Sequence, residues 1–356
     1  MSWEIDLRST QLSGPDHDLI LSGDAYNRSG ILMASVGMKL TLDLQDKLLN
    51  HKIYYLSVDT LSDVVSSLSI PANCKEEFIM FKRLYDKKQN DLSSGFSKIK
   101  NGETICLDST YSIIKDLIDC SGYYYSVLAY IHYLSEFGNH TFSHCLNVGL
   151  LCFIFGKWLK MNSDECMTLT VSGLLHDIGK MEVPLEVLNK PGRLSEAEFE
   201  MIQNHTVYGH NMLKNLPFPF VVKTSALLHH EKLDGTGYPL SFNSDRIPRF
   251  SKIIAICDIY DAMVSKRIYK PKSCPFDVLS TLDTSFYGSL DQELVYVFKI
   301  NAIRAFVGSH VKLSNGQEGE VLFIDPAFPS RPLVRLYSGN VVSLTENPKI
   351  KVTEML

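Results

Sequence analysis

The sequence has little that would carry a redox, secreted or membrane function. Eight cysteines are scattered through 356 residues without a single C-x-x-C pair. Several lie in apolar helical patterns, where a reduced thiol packs as a small hydrophobe. That usage favours a reducing, cytoplasmic compartment over an oxidising one. The opening MSWEIDLRST lacks the basic-then-apolar layout of a secretory leader, and the most apolar run, 146–158, is too short and too interrupted to span a bilayer. Positive charge is not in excess either: the formal net charge is -5. Nothing general therefore points to a nucleic-acid polymer, and any phosphate site must be local. No internal repeat or low-complexity tract is present.

What remains is an ordinary globular composition, 45% hydrophobic and 21% charged, in a chain long enough for two or three units. Residues 1–110 read as a small mixed α/β accessory domain with a connector. "SWEIDLR" and "KIYYLSVD" are extended runs, and "LTLDLQDKLLNH" places leucines at roughly helical spacing. The polar, basic stretch 82–103 is expected to be an exposed helix end and linker. Residues 111–304 are strongly helical and form the large core. Residues 305–356 alternate short β-type runs with Asn-Gly, Asp-Pro and Ser-Gly turns, the pattern of a short β-rich appendage. The fold class is mainly α.

Seven of the eleven histidines fall between 140 and 230. In "HTFSHCLNVGLL" the stripe through Val148 and Leu151 leads back to His144 and His140. In "VSGLLHDIGK" an apolar run delivers His176 and Asp177 together, and a buried carboxylate requires a cation. A capping box of Ser195 and Glu198 opens a helix expected to run on through His205, with Met201 or Ile202 inward. On that helix His205 faces the core, and His210, about 140° further round, is a surface or packing residue. Phe250, Ile254 and Asp258 share one stripe, and Asp261, one turn on, can buttress a ligand from behind. His229 and His230 diverge by about 100° on a regular helix, so both reach one metal only if the helix is ending there. Glu231 is a supporting or structural acid, and Asp234, Gly235 and Gly237 form a turn. Imidazole and carboxylate ligands without thiolates suit iron, manganese or zinc.

The order H…HD…H…HH…D resembles the HD metal-dependent phosphohydrolase superfamily. "HDIGK" at 176–180 and "HHEKLDGTGYP" at 229–239, supported by "KPGRLSEAEF" and "DIYDAMVSKRIYK", are similar to the HD-GYP family of cyclic di-GMP phosphodiesterases over about 111–304. The resemblance implies that His144, His176, Asp177 and Asp258 hold one divalent metal, and that Asp177 bridges to a second held by His205, His229 and His230. It implies that Lys180, Arg267 and Lys270 bind substrate phosphates, with Asp177 and Lys180 at the chemistry. Tyr238 and Pro239 are the family signature, shaping a pocket wall or a partner surface. His140 departs from the family pattern and has two readings: a ligand to a third metal, or a hydrogen-bonding residue behind the first.

The implied activity is hydrolysis of cyclic di-GMP to pGpG, and onward to GMP, by a hydroxide bridging two cations, iron or manganese best fitting the ligands. Cyclic di-GMP and proteins of second-messenger signalling are the implied partners, with no nucleic-acid polymer and no membrane; a homodimer is among the open assemblies. Alternatives are a catalytically silent cyclic di-GMP receptor and a phosphohydrolase of another cyclic dinucleotide or nucleotide. A purely structural helical domain would leave Asp177 and Asp258 as buried, unpaired acids.

Overall fold

A computed structural model describes residues 2–12, 18–67, 75–120, 124–134, 137, 141–188, 190, 192–265 and 274–356, without the side chains of 124–126. At the N-terminus, β1 (Trp3–Asp6) and β2 (Leu19–Leu21) flank β5 (Tyr55–Thr60) in an antiparallel sheet of order β1-β5-β2. β3 (Ala25–Tyr26) and β4 (Leu32–Ala34) form a separate ribbon. Helix α1 (Leu42–Asn50) begins at Thr41, whose side chain accepts from the Leu44 amide. Leu44 and Leu48 point into a small core with Leu7, Leu21, Leu40 and Val58, whereas Leu42 stays exposed.

After α2 (Leu61–Ser67) comes α3 (Lys75–Lys100), a single 26-residue helix. The polar stretch expected to be an exposed helix end and linker is most of this helix. Phe78, Phe81, Tyr85, Leu92, Phe96 and Ile99 recur at helical spacing along one buried side, so the polar residues are its solvated face.

The helical body follows: α4 (Leu107–Cys120), α5 (Tyr124–Leu134), α6 (Thr141–Trp158), α7 (Ser163–Leu175), α8 (Leu185–Leu188), α9 (Glu196–Gln203), α10 (His205–Leu213), α11 (Phe220–Leu228), α12 (Arg249–Val264), α13 (Pro275–Thr284) and α14 (Gln292–Phe306). Helix α6 is buried on nearly every side, as its all-round apolar sequence demands, and packs against α7, α12, α3, α5 and α14. Asn162 with Glu165 starts α7 and Ser195 with Glu198 starts α9, each through a reciprocal capping box. The helix expected to continue from Ser195 through His205 is in fact two, broken at Asn204, and Met201 is exposed.

The C-terminal strands β6 (His310–Leu313), β7 (Glu318–Phe323), β8 (Leu333–Leu336), β9 (Val341–Ser343) and β10 (Val352–Met355) form an antiparallel sheet of order β10-β6-β7-β8-β9. One apolar core runs from Phe78 on α3 through the helical body to Val311 and Val334 of this sheet. The expected mainly α architecture, with a mixed N-terminal unit and a β-rich C-terminus, is what forms. No helix among the described residues is long and apolar enough to cross a membrane.

Candidate metal centre

Helix ends build the site. His176 caps the C-terminus of α7, Asp177 follows it, and the chain then turns through a short 3-10 helix, Ile178–Glu182. His205 is the first residue of α10, and α11 ends at Leu228, so His229 and His230 lie in the exit turn. That ending is what lets two adjacent imidazoles converge despite the 100° step of a regular helix. His144 comes from the first turns of α6, and Asp258 and Asp261 from α12.

Gly179 locks the first two elements together. A β-carbon there would sit 1.9 Å from the His205 carbonyl oxygen and 2.4 Å from the Gly209 amide nitrogen. Only glycine lets the turn after Asp177 seat against α10, which fixes Asp177 relative to His205.

Ligand atoms gather in two overlapping groups, Asp177–His205–His229–His230 and His144–His176–Asp177, each within 4.8 Å. Asp177 is shared. Asp258 joins the second from the side, its Oδ1 lying 3.1 Å from His144 Nε2 and its Oδ2 3.9 Å from His230 Nδ1. His176, Asp177, His205 and His229 are all but sealed from solvent, whereas His230, Asp258 and Lys180 are half-buried and line the open side.

Hydrogen bonding settles which imidazole nitrogens carry protons. Nδ1 of His176 faces the Gly173 carbonyl at 2.7 Å, and that of His205 faces the Ile202 carbonyl at 2.6 Å. His229 Nδ1 lies 3.1 Å from the carbonyls of both Ser225 and Ala226. Carbonyls only accept, so each Nδ1 donates and each Nε2 presents a lone pair inward. His205 Nε2 then faces His229 Nε2 at 3.3 Å, with Asp177 Oδ1 3.1 and 3.8 Å from the two. Three acceptors converge with no proton between them. His176 Nε2 and Asp177 Oδ1 are buried without a hydrogen-bond partner. Such a cluster is costly unless a cation occupies it, so these residues fit a divalent metal.

Electrostatics agree. Burial opposes charge on Asp177, yet Lys180 and His176 hold its carboxyl well below the usual range. Burial, reinforced by the neighbouring imidazoles, keeps His229 neutral and lowers His230 to about 3. Burial likewise disfavours charge on His144, but the Asp258 and Asp261 carboxylates raise it to about 9. Lys180 pairs directly with Asp177 Oδ2 and stays cationic.

The remaining candidates are placed as follows. Asp261 Oδ2 accepts from His144 Nδ1 at 2.7 Å, behind the ligand set. Glu231 is not among the clustered ligand atoms: its two oxygens accept from the Leu240 and Phe242 amides at 2.6 and 2.8 Å. It is a clamp for the loop. Asp234 Oδ1 accepts from the Thr236 amide and hydroxyl, Gly235 takes φ +75, and a β-carbon on Gly237 would meet the Lys232 amide nitrogen at 2.4 Å. The turn sets the Tyr238 ring against His230, stacked at 4.6 Å between centroids, beside the open face. His210 is half-buried, its Nδ1 toward the Lys223 carbonyl and away from the cluster. His140, Arg267 and Lys270 lie outside the described residues. Tyr85 and Asn147, which no motif marked, also reach this site through Asp261; their signal was a polar residue on an otherwise buried helix side.

Helices that converge a buried histidine–aspartate cluster of this kind define a domain able to hold metal ions. Residues 137–285 match the family model described as HD domain. The chain is 34% identical over 185 residues to a cyclic di-GMP phosphodiesterase of Pseudomonas aeruginosa, covering 51% of this chain and 44% of that one. It is 35% identical to a 3'3'-cGAMP-specific phosphodiesterase of Vibrio cholerae, over 45% of this chain and 35% of the relative. A cyclic di-GMP phosphodiesterase of Thermotoga maritima is 33% identical, over 49% of this chain and 51% of its own. The chain thus spans about half or less of the length of these curated relatives. The resemblance read from the sequence motifs is to proteins of this same kind.

Proposed function

We propose that this chain is a metal-dependent phosphodiesterase that opens cyclic di-GMP to linear pGpG, and can carry the product on to GMP. The observation that carries the reading is the trio of proton-free acceptors, His205 Nε2, His229 Nε2 and Asp177 Oδ1, turned on one another in a buried site. We assign two divalent ions, iron or manganese, one held by His144, His176, Asp177 and Asp258, the other by Asp177, His205, His229 and His230. When bound, such ions supply Lewis acidity at a phosphodiester and a nucleophile at neutral pH.

The chain's own residues do the rest. His230, Asp258 and Lys180 leave one face open, so a substrate phosphate approaches there. Lys180, cationic and beside Asp177, is placed to neutralise charge building on the phosphoryl oxygens. The Tyr238 ring forms an adjacent wall. Residues 1–110 serve as an accessory unit, 111–304 as the catalytic unit and 305–356 as an appendage, in a reducing compartment that suits the free cysteines.

A second substrate has a specific finding behind it: relatives named 3'3'-cGAMP-specific phosphodiesterases match at 35 and 36% identity, beside 34% for a cyclic di-GMP phosphodiesterase matched over a similar length and 41% for another matched over a shorter one. Anaerobically purified protein loaded with Mn(II) or Fe(II) would be given each dinucleotide and the products separated by chromatography. Faster conversion of cyclic di-GMP supports the main reading, and faster conversion of 3'3'-cGAMP supports the second. Tight binding without product over hours makes the protein a receptor.

A further inference from the structure

Three of the site's histidines are aimed by main-chain carbonyls, but His144 is aimed by a chain of side chains that leaves the HD domain. Its Nδ1 lies 2.7 Å from Asp261 Oδ2. Asp261 Oδ1 accepts from Asn147 Nδ2 at 2.8 Å and from Ser265 Oγ at 3.3 Å. The Asn147 oxygen in turn lies 2.7 Å from the hydroxyl of Tyr85, which also approaches the Ser143 carbonyl at 2.9 Å. Tyr85 belongs to α3, outside residues 137–285. All four members of this chain are buried.

Proton bookkeeping gives the chain one direction. Asp261 as a carboxylate only accepts, so Asn147 must turn its NH2 toward it and its oxygen away. That oxygen needs a donor, and the Tyr85 hydroxyl is one; burial pushes Tyr85 well above its ordinary pKa, so the proton stays on. With both Asp261 oxygens held, His144 has to donate from Nδ1, so Nε2, which faces Asp177 and Asp258, is the nitrogen that would yield its proton to a metal. Rotating the Asn147 amide would set oxygen against carboxylate and release the ring.

We propose that Tyr85 and Asn147 are positioning residues for the metal centre, acting through Asp261 to fix the orientation and tautomer of His144, so that helix α3 completes a site the HD domain does not complete alone. The proposal rests on the metal reading above. Supporting groups of this kind carry about 10–100-fold in metal affinity.

The test is Mn(II) titration of the metal-free full chain by calorimetry, with the His144 imidazole followed by 15N NMR. Asp261→Asn should weaken the affected Mn(II) site about 10–100-fold. Tyr85→Phe keeps the ring and removes the hydroxyl proton shared by the Asn147 oxygen and the Ser143 carbonyl, and should weaken it about 3- to 10-fold. Combining Tyr85→Phe with Asp261→Asn should cost no more than Asp261→Asn alone, because the chain is already broken. A packing role for Tyr85 would give additive losses and leave the His144 nitrogen shifts unmoved, which overturns the proposal; so does a Tyr85→Phe affinity within twofold of wild type. Should Asp261→Asn fail to fold, Tyr85→Phe carries the test. If wild type takes up no Mn(II), the metal reading falls and this proposal with it; if wild type binds and Tyr85→Phe is unchanged, only the relay falls.

Discussion

The two sides of the metal centre are held by different means. His176, His205 and His229 each donate Nδ1 to a carbonyl three or four residues back in their own chain, so their aim comes with the end of a helix. His144 takes its aim from Asp261 and, behind it, from Asn147 and Tyr85, a residue 59 positions away in sequence. A helix-end anchor survives as long as the local turn does, whereas a side-chain relay exists only when α3, α6 and α12 are packed. The charge states follow the same division: carboxylates raise His144 to about 9, and burial among imidazoles keeps His229 and His230 neutral.

The severest break of this comparison is the residue both sides share. Asp177→Asn removes the bridging charge, and turnover of a cyclic dinucleotide should fall by at least about a thousandfold with loss of metal from both groups, measured by product formation and by metal analysis of the purified variant. Retained metal stoichiometry would dissociate the two sides. Gly179→Ala acts first on the anchored side. Its new methyl collides with the His205 carbonyl, and denaturant unfolding should show a loss of about 1–3 kcal/mol. Stability unchanged would mean that the turn after Asp177 is not fixed by α10.

pH sharpens the contrast further. The metal-free protein holds a proton on His144 below about 9, and a metal takes only the neutral ring, so affinity at this side should climb as pH rises toward about 9 and then level off. His230, lowered to about 3, and His229, held well below its ordinary value by burial, are already neutral across that range and should contribute no such climb. Calorimetry in buffers of differing ionisation enthalpy would count the protons released, and equal release at both sides would contradict the division. The smallest effect expected is at Tyr238→Phe. The ring stays stacked on His230, and metal affinity should change less than about twofold; a larger change would give the hydroxyl a part in the metal centre.

Much of this was legible in the chain. Apolar periodicity, capping boxes and turn residues are local, so the helical body, the starts of α7 and α9 and the β-rich C-terminus could be read directly. The failures are also physical. The stretch 82–103 read as linker because its charges outnumber its apolar residues, although Tyr85, Leu92, Phe96 and Ile99 repeat at helical spacing and are buried. The break at Asn204 has no proline or glycine to announce it. Glu231, read as a supporting or structural acid, left those two roles open in the sequence, and the structure shows the Leu240 and Phe242 amides claiming its oxygens.

By itself the sequence determined which residues could be ligands, because imidazoles and carboxylates emerging from apolar helices have few other uses, and it determined that His229 and His230 had to sit where a helix stops. Tertiary structure alone decided that the Nε2 atoms of His205 and His229 confront each other across Asp177, that Gly179 seats the His-Asp turn against α10, and that a tyrosine of α3 stands behind His144. Ligand identity is a property of residues, but a cation site is a property of distances, and the distances between helices are set only when the core closes.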